Sequence, residues 1–404
     1  MRKVLLFVLC LLFCIENQLS GKSKLLASIP FEAVGSYVVI RVKINDSSPL
    51  NLILDSGIRN TIITELQEGD HISLNYSDVK DLMGLGANSE NKMEAYTSNF
   101  NTLYSGKIKL ENKQVLVLKE DLFNLSKHTG TKINGLIGMD LLKDYIVEVN
   151  YSQKRLNFYN RSSFVCPKGY EQLPLDVELQ KAFIQLQVRQ RGDSISKPVK
   201  MLIDTGAELN AWFQTYKPNS IHKPSVSLRG TIGQGLNGEI SGYIGRLEQL
   251  CFGSFCLNHP VVSFPDSLSI SEIVGNSDRD GTIGSQILSR FNYIIDCEGK
   301  AFYFKPNYNF KNSFFYNVAG IEIMQIFPNL PQTEVWKVWK DSPADMAGVQ
   351  VGDVIVEVNG QNSFELNMNE IKGYFQRTDG HRLRIKVMRE KQELIFDLDM
   401  KSLI

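Results

Sequence analysis

The sequence predicts a mainly β protein with two duplicated β lobes about a pseudo-two-fold axis, followed by a small α+β domain. Short runs of alternating apolar and polar residues, broken by Gly, Asn and Ser turns, are typical of strands. An apolar run that ends in an acidic turn occurs twice, and further landmarks recur at nearly the same offset. The last ~90 residues differ, because helical stretches lie between their short strands.

Composition limits the classes of partner. The 404 residues are enough for two or three domains. Lys and Arg together number 44 and so do Asp and Glu, so no net basic field attracts nucleic acid. We therefore expect no nucleic-acid partner. No Cys/His cluster has metal-ligand spacing, and we expect neither a metal nor another cofactor.

Residues 1–21 are interpreted as a signal peptide. Arg2 and Lys3 precede the apolar run Val4–Ile15, which is too short for an ordinary membrane-spanning helix. The sequence therefore predicts an exported protein, periplasmic or extracellular, cleaved near Ser20 or Gly21.

A lipoprotein is the alternative interpretation of the amino terminus, because Cys10 and Cys14 lie in the apolar run. Bulky Leu9 and Phe13 stand where a lipid-attachment signal has a small residue, which disfavours it. No other run is long and apolar enough to span a membrane.

The chain is divided into a first copy (25–160), a second copy (170–306) and a carboxy-terminal domain (316–404). Tyr37–Ile44 alternates as a strand does, and Ala182–Arg189 does the same at the start of the second copy. The one good helical stretch predicted in the first copy is Met139–Lys143.

Two acidic turns follow apolar runs. Asp55-Ser56-Gly57 follows Leu50–Leu54, and Asp204-Thr205-Gly206 follows Met201–Ile203. The aspartates are 149 residues apart. Each turn is a weak signal alone, because these residues are common in turns.

Other landmarks repeat in the same order. Gly84-Leu85-Gly86 begins 29 residues after Asp55, and Gly233-Gln234-Gly235 begins 29 residues after Asp204. Asn134–Leu142 corresponds to Asp280–Leu288 at an offset of 146. The sequence therefore contains an internal duplication of about 148 residues, and each copy supplies one carboxylate.

Two carboxylates brought together have a specific chemistry. They cannot both ionise easily, so the pair holds one proton. The ionised group can activate water while the protonated group polarises a carbonyl. Gly57 and Gly206 allow close backbone approach, and the Ser56 and Thr205 hydroxyls can bond across the axis. The alternatives are turn residues without chemistry, or an inactive enzyme that kept its fold.

The duplicated motif, with Leu136–Leu142 downstream of Asp55, resembles aspartic proteases of the pepsin/retropepsin type over about residues 30–306. The resemblance implies two retropepsin-like lobes in one chain and peptide hydrolysis by Asp55 and Asp204. It also implies two flaps over an extended polypeptide substrate, at Gly84 and Gly86 and at Gly233 and Gly235. Ordinary hairpin turns are the alternative for these glycines.

The chain departs from the family pattern after the first turn. Ile58 stands where the family has a small or hydroxyl residue, and the second copy has the usual Ala207. Asn210 stands where the first copy has Thr61. Neither Ile58 nor Ala207 can donate a hydrogen bond to the carboxylates, so we expect a pH optimum nearer neutrality than that of gastric enzymes.

Ser342–Gly360 resembles the PDZ domain of bacterial proteases, with helix, Gly-Asp turn, strand and Asn-Gly turn in family order. The resemblance implies that peptide carboxy termini bind between a helix at Asn367–Gln376 and a loop and strand formed by Ala319, Gly320, Ile321, Glu322 and Ile323. The chain's own tail, Lys401–Ile404, is one such ligand. The alternatives are an ordinary strand and a domain that only supports the protease.

Four cysteines follow the signal region. Cys251 and Cys256 are expected to close a hairpin with a disulfide, which leaves Cys166 and Cys297 as the second pair. Four reduced thiols are the alternative.

Together these features predict an exported aspartic endopeptidase whose PDZ domain recruits or gates peptides. We expect a monomer, because both halves of the site are in one chain. A catalytically inactive envelope protein that binds peptides is the alternative.

Overall fold

The computed structural model describes residues 23–82, 93–215, 221–235, 238–267, 270, 277–327, 330–376 and 379–404. The predicted signal peptide and the predicted flap residues Gly84 and Gly86 lie outside this range. Strands dominate the described residues, which confirms the mainly β prediction.

The first lobe consists mostly of strands around an apolar core. Its strands are β1 (Leu25–Pro30), β2 (Glu32–Val34), β3 (Tyr37–Ile44), β4 (Leu50–Leu54), β5 (Thr61–Ile63), β6 (Tyr76–Leu82), β7 (Met93–Ser105), β8 (Ile108–Leu118), β9 (Gly135–Ile137), β10 (Ile146–Asn150) and β11 (Arg155–Tyr159). Its described helices are α1 (Leu125–Thr129) and α2 (Met139–Leu142). The alternation in β3 buries Ile40 and Val42 and exposes Arg41 and Lys43, as its sequence predicts.

The second lobe repeats this plan. Its strands are β12 (Glu171–Glu178), β13 (Lys181–Arg189), β14 (Lys197–Ile203), β15 (Ala211–Phe213), β16 (Ser227–Gly235), β17 (Gly238–Arg246), β18 (Gln249–Phe252), β19 (Phe255–Asn258), β20 (Val261–Pro265), β21 (Gly281–Ile283), β22 (Phe291–Asp296) and β23 (Ala301–Pro306), with helix α3 (Ser285–Leu288). Its core contains the packed rings of Phe252, Phe291 and Phe304, with the first two centroids 4.9 Å apart.

A shared sheet joins the lobes in the order β1-β11-β10-β22-β23-β12. At its centre β10 pairs with β22, and Glu148 lies opposite Ile294. These two residues are 146 residues apart, the same offset that separates the motifs Asn134–Leu142 and Asp280–Leu288. The pseudo-two-fold axis predicted from the duplication therefore passes between β10 and β22.

The aspartates follow equivalent strands. β4 runs parallel to β9, with Leu54 beside Ile137, and β9 runs antiparallel to β5. In the second lobe β14 runs parallel to β21, with Ile203 beside Ile283, and β21 runs antiparallel to β15. The same arrangement of three strands in each lobe therefore positions one acidic turn.

A buried carboxylate lies on the axis between the lobes. Glu148 Oε2 accepts hydrogen bonds from Asn157 Nδ2 (2.9 Å) and the Tyr159 hydroxyl (2.6 Å). Its Oε1 accepts from Asn150 Nδ2 (3.1 Å) and the Tyr170 hydroxyl (2.6 Å). Tyr170 precedes β12, so this network ties the two copies together at their shared sheet.

The carboxy-terminal domain contains β24 (Ile321–Gln325), β25 (Thr333–Val338), β26 (Val354–Val358), β27 (Gln361–Asn362), β28 (Asp379–Arg389), β29 (Gln392–Lys401), α4 (Pro343–Ala347) and α5 (Met368–Phe375). Ser342 caps α4 by accepting from Asp345 N (3.3 Å), and Gly348 ends it in the left-handed region. Asn367 and Glu370 form a capping box at the start of α5. These features agree with the predicted helices.

The cysteine prediction is half right. Cys251 and Cys256 form a disulfide across the β18–β19 hairpin, opposite each other in register. The predicted pairing of Cys166 with Cys297 is wrong, because both are free thiols. Cys297 is buried in the apolar core, whereas Cys166 Sγ is directed at the Pro167 carbonyl (3.6 Å).

Candidate active site

Backbone hydrogen bonds from the crossing strands fix the two acidic turns. The Asp55 N–H donates to the Ile137 carbonyl (2.9 Å), and the Asp204 N–H donates to the Ile283 carbonyl (3.0 Å). Each aspartate therefore starts its turn at a position set by the Gly-Leu-Ile or Gly-Thr-Ile strand of its own lobe.

The second residues of the turns lock the lobes together. Ser56 N donates to Thr205 Oγ1 (3.0 Å), and Thr205 N donates to Ser56 Oγ (3.1 Å). Each hydroxyl also donates to the opposite lobe, Ser56 Oγ to the Ile203 carbonyl and Thr205 Oγ1 to the Leu54 carbonyl, both at 2.7 Å. These bonds bring Asp55 and Asp204 face to face across the axis.

The third residues must be glycine because of close approach. A Cβ at Gly57 would lie 2.7 Å from Asp204 Oδ2, and a Cβ at Gly206 would overlap the Asp55 carboxyl group. Each glycine N–H instead donates to Oδ1 of the aspartate in its own turn, at 2.7 Å in the first lobe and 3.2 Å in the second. All six residues predicted for the dyad and its support therefore converge.

The two carboxyl groups are close enough to share a proton. Burial, followed by the charge of Asp204, raises the pKa of Asp55 well above its ordinary value. Burial also raises the pKa of Asp204, while Arg279, the Gly206 N–H and Lys181 oppose that rise. The pair therefore holds a single proton to higher pH than isolated aspartates do.

Tyr37 and Glu208 flank one side of the dyad. Burial raises the pKa of Tyr37 far above its ordinary value, and the charges of Glu208, Asp55 and Asp204 add to that rise. Glu208 Oε1 accepts weakly from Ser36 N (3.4 Å). The phenol of Tyr37 therefore stays protonated beside the carboxylates and remains a hydrogen-bond donor.

Lys181 and Arg279 supply positive charge near Asp204. Burial lowers the pKa of Lys181, and the nearby Arg279 lowers it further, while Asp204 acts in the opposite direction. The Arg279 side chain is 3% exposed, and its guanidinium lies 5.0 Å from the ring centroid of Trp212. Arg279 therefore favours the ionised form of Asp204, whereas Lys181 lowers the pKa of both aspartates.

Sequence reasoning missed these flanking residues, which are Tyr37, Lys181, Glu208 and Arg279. For Tyr37 and Lys181, the pairing register of neighbouring strands indicates the position. The register of β3 on β4 brings Tyr37 level with Asp55, and the register of β13 on β14 brings Lys181 level with Asp204. Tyr37 and Lys181 are the first residues of β3 and β13, and this position could have identified them.

The second predicted flap region lies in an antiparallel hairpin, and antiparallel strands border the stretch that contains the first. β6 pairs with β7 as far as Leu82 and Met93, which border the undescribed stretch that contains Gly84 and Gly86. β16 pairs with β17 up to Gly235 and Gly238, so Gly233 and Gly235 lie beside the tip. The hairpins fit both flaps and ordinary turns, and closure over a substrate stays a prediction.

Of the predicted peptide-binding residues of the third domain, Ala319 and Gly320 precede β24, and Ile321, Glu322 and Ile323 belong to it. The last three and Phe375 of α5 line a cavity of about 170 Å³. The N–H groups of the preceding loop are already paired: Val318 and Ala319 donate to the Phe375 carbonyl, and Gly320 and Ile321 donate to Asn317 Oδ1. The Asn317 amide therefore occupies the place expected for a ligand carboxylate.

The chain's tail is not a ligand of this groove, so that prediction is wrong. Arg246 Nε donates to the Ile404 carbonyl (3.4 Å), and the Leu403 N–H donates to the Tyr316 hydroxyl (2.8 Å). The tail is held instead by the second lobe and by the segment that leads into the third domain.

The described residues contain neither a cluster of metal-ligand side chains nor a membrane-spanning helix. Within the described part of the chain, no group of three or more His, Cys, Asp or Glu side chains is arranged to hold a metal ion. In the same residues, no helix has both the length and the apolar character needed to cross a bilayer.

Comparison with known proteins gives matches to both parts of the chain. Residues 40–141 match the family model described as aspartyl protease, and residues 335–389 match the one described as PDZ domain. Solved structures that align include the crystal structure of aspartic proteinase from Irpex lacteus, with 13% identity and a TM-score of 0.43, covering 71% of this chain and 98% of that chain. Curated proteins give no match.

Proposed function

We propose that this chain, which carries an aspartyl protease domain and a PDZ domain, is an aspartic endopeptidase with Asp55 and Asp204 as its catalytic pair. The observation that carries the proposal is the reciprocal bonding of Ser56 and Thr205, which holds the buried Asp55 carboxyl group beside the half-buried Asp204 carboxyl group. A duplicated β fold without chemistry gains nothing from that arrangement, since withdrawing two neighbouring carboxyl groups from water destabilises it.

The surroundings assign different roles to the two aspartates. Asp204 is the ionised member, because Arg279 is the group that most opposes the effect of burial on its pKa. It takes a proton from a water molecule as that water attacks the peptide carbonyl carbon. Asp55 is the protonated member and donates to the carbonyl oxygen, which becomes the hydroxyl of a tetrahedral intermediate.

The second half of the reaction reverses the proton flow. Asp204 returns its proton to the leaving nitrogen as the C–N bond breaks, and Asp55 takes back a proton from the collapsing hydroxyl. The products are a free amine and a carboxylic acid. No metal ion and no covalent enzyme intermediate take part in this scheme.

The substrate class follows from the position of the pair, where the acidic turns of the two lobes meet. An extended polypeptide can lie across the pair with one hairpin above it from each lobe, β6–β7 and β16–β17. The hydrolysed bond then lies in the interior of a peptide, so the activity is that of an endopeptidase. One copy of this protein supplies both aspartates and therefore acts as a monomer.

Export belongs to the same proposal. Arg2, Lys3 and the apolar run Val4–Ile15 support a secretory signal, and the Cys251–Cys256 disulfide supports an oxidising compartment. Fractionation of the native host, with mass spectrometry of the mature amino terminus, tests it. An intact Met1 on protein in the cytoplasmic fraction contradicts export.

The activity is tested by cleavage of a diverse peptide library from pH 3 to pH 8. Wild type is compared with Asp55→Asn and Asp204→Asn, and Asp140→Asn is the matched control because Asp140 is a buried aspartate that pairs with Lys113 and Lys143. Cleavage by wild type and the control, but by neither dyad variant, supports the proposal. Equal cleavage by all four proteins contradicts it, and cleavage by none favours the peptide-binding alternative.

A further inference from the structure

Helix α1 of the first lobe covers the groove of the PDZ domain. A Cβ at Gly130, which ends α1, would lie 2.5 Å from Met368 Cγ on α5 and 3.4 Å from Gln325 Oε1 on β24. The two walls of the groove thus meet the end of one helix from the protease part, in the space between β24 and α5 where a ligand strand is added.

Polar and aromatic contacts reinforce this seating. Lys372 Nζ on α5 donates to the His128 carbonyl of α1 (2.9 Å). The His128 ring packs edge-on against Trp336 on β25, with centroids 5.9 Å apart. His128 also lines the cavity beside Ile321 and Phe375. The groove is therefore already occupied by a segment of the same chain.

Two residues that follow the groove along the chain, Lys337 on β25 and Trp339 just after it, contact the β16–β17 hairpin. Lys337 Nζ lies 2.5 Å from both Glu239 Oε1 and Thr231 Oγ1, and the Thr231 hydroxyl donates to Glu239 Oε1 (2.9 Å). The Trp339 ring packs on Gly230, where a Cβ would lie 3.2–3.3 Å from the indole atoms. The third domain thus contacts the β16–β17 hairpin of the second lobe at two points.

The peptide groove and the contacts with the hairpin are adjacent, because both involve the strand pair β24 and β25. Glu322 on the groove strand lies opposite Lys337 in the β24–β25 register. Glu322 Oε1 accepts from Trp339 Nε1 (2.6 Å), and the Trp339 N–H donates to the Gly320 carbonyl (2.8 Å). A shift of β24 therefore moves Lys337 and Trp339, the two side chains that contact the hairpin.

We infer that the PDZ domain is an intramolecular clamp on the β16–β17 hairpin, held in place by α1 in its groove and released when an extended peptide takes the place of α1. The inference rests on the proposed function, because it gives the hairpin its role as a flap. A flap must move to admit a polypeptide, so a hairpin fixed by Lys337 and Trp339 admits substrate slowly.

The first test reverses the ion pair. Lys337→Glu sets a carboxylate against Glu239 and loosens the hairpin, whereas Lys337→Glu with Glu239→Lys restores an ion pair of opposite polarity. Hydrogen exchange of residues 227–246 should rise in the single variant and return towards wild type in the double variant. The kcat/KM for a protein substrate should follow, with a rise of ~2- to 5-fold in the single variant.

The second test opens the groove without touching the hairpin or the dyad. Gly130 has a φ of 67°, which Asn tolerates, so Gly130→Asn drives a side chain against Met368 without large backbone strain. We expect faster exchange of residues 227–246, far from the substitution. Adding Met368→Ala makes room for the new side chain and should restore wild-type exchange, while Met368→Ala alone controls for the lost core packing.

The two readouts separate the two proposals. Unchanged exchange of residues 227–246 in both Lys337→Glu and Gly130→Asn overturns the clamp, whether or not the protein cleaves peptides. Faster exchange with no proteolysis at any pH leaves the clamp in place and overturns the endopeptidase. Faster exchange with a lower kcat/KM contradicts the restraining role of the clamp.

Discussion

Ser56 and Thr205 form a reciprocal pair across the two lobes: each accepts a hydrogen bond from the other's N–H and donates to a strand of the other lobe. Both side chains are almost fully buried, at 0% and 1% exposed. Four hydrogen bonds in a buried site resist small rotations of one lobe against the other. The distance between the aspartates is therefore set by the residues next to them.

Thr205→Ala tests this lock. The substitution leaves Ser56 N and the Leu54 carbonyl buried without partners, so we expect a loss of about 2–3 kcal/mol in the free energy of unfolding. We also expect a kcat at least ~10-fold lower, since the carboxyls lose their fixed separation. Urea unfolding and steady-state kinetics measure both effects. Thr205→Ser keeps the hydroxyl and should stay near wild type; equal losses in the two variants contradict the role of the hydroxyl.

Asp55→Asn tests the pair through activity and stability together. We expect kcat to fall by ~10²–10⁴-fold, the range for loss of a general acid. Because the pKa of Asp55 is raised in the folded state, its contribution to wild-type stability is present below the unfolded pKa and is lost as pH rises through the folded pKa.

Asn at this position has no proton to lose. Relative to wild type, Asp55→Asn should therefore gain stability as the pH is raised from 3 to 7, as read from thermal unfolding at each pH. A variant that is less stable than wild type at pH 7 and more stable at pH 3 contradicts the raised pKa.

Lys181→Met tests the effect of the positive charge beside the dyad. Lys181 lowers the pKa of Asp204 against the effect of burial, so its removal should raise that pKa. The ionised base is then lost at a higher pH on acidification, and the acid limb of the pH–rate profile should move to higher pH. Lys181→Arg keeps the charge and should leave the limb in place. An unchanged limb in Lys181→Met places the lysine outside the field of the dyad.

The fold and the dyad were predictable because each weak sequence motif occurs in both copies, so that one occurrence supports the other. Asp-Ser-Gly alone is an ordinary turn, but its repeat at a near-constant offset predicts an axis, and Glu148 opposite Ile294 lies on it. The cross-lobe role of Ser56 and Thr205 followed from the same symmetry.

What could not be predicted depends on contacts that break the symmetry. Tyr37 and Lys181 occupy equivalent places, but one is a phenol and the other a cation, so no repeat marks them as a pair. The contact between the end of α1 and Met368 joins two segments whose sequences show no related motif. The Asn317 side chain fills the PDZ loop through hydrogen bonds that no spacing encodes.

His128 makes the contact between α1 and the PDZ domain sensitive to acid. Burial, Lys372 and Lys127 lower the pKa of His128 from 6.5 to about 4. The stability contributed by the neutral ring is present above pH 6.5 and is lost as pH falls through about 4. The protection factors of residues 321–325, which correct for the slower intrinsic exchange at low pH, should therefore fall between pH 6.5 and pH 4 in wild type. His128→Phe keeps a ring without the charge, and persistence of the full loss of protection in it assigns the effect to another group.

Glu148→Gln tests the network on the pseudo-two-fold axis. Both carboxylate oxygens accept two hydrogen bonds, from Asn157 and Tyr159 at Oε2 and from Asn150 and Tyr170 at Oε1. A glutamine has only one oxygen, so its NH₂ must face two donors whichever way the amide is turned.

We expect Glu148→Gln to lower the free energy of unfolding by about 2–4 kcal/mol, since two buried donors lose their acceptor. Tyr159→Phe removes one donor and leaves the acceptor satisfied, so it should lose only ~1 kcal/mol. Urea unfolding compares the two, and kcat per folded molecule should stay within ~3-fold of wild type in both, because the Ser56–Thr205 lock is intact. If Glu148→Gln matches wild-type stability, the carboxylate is not what joins the copies, and the apolar pairing of Val147 and Val149 with β22 carries the interface instead.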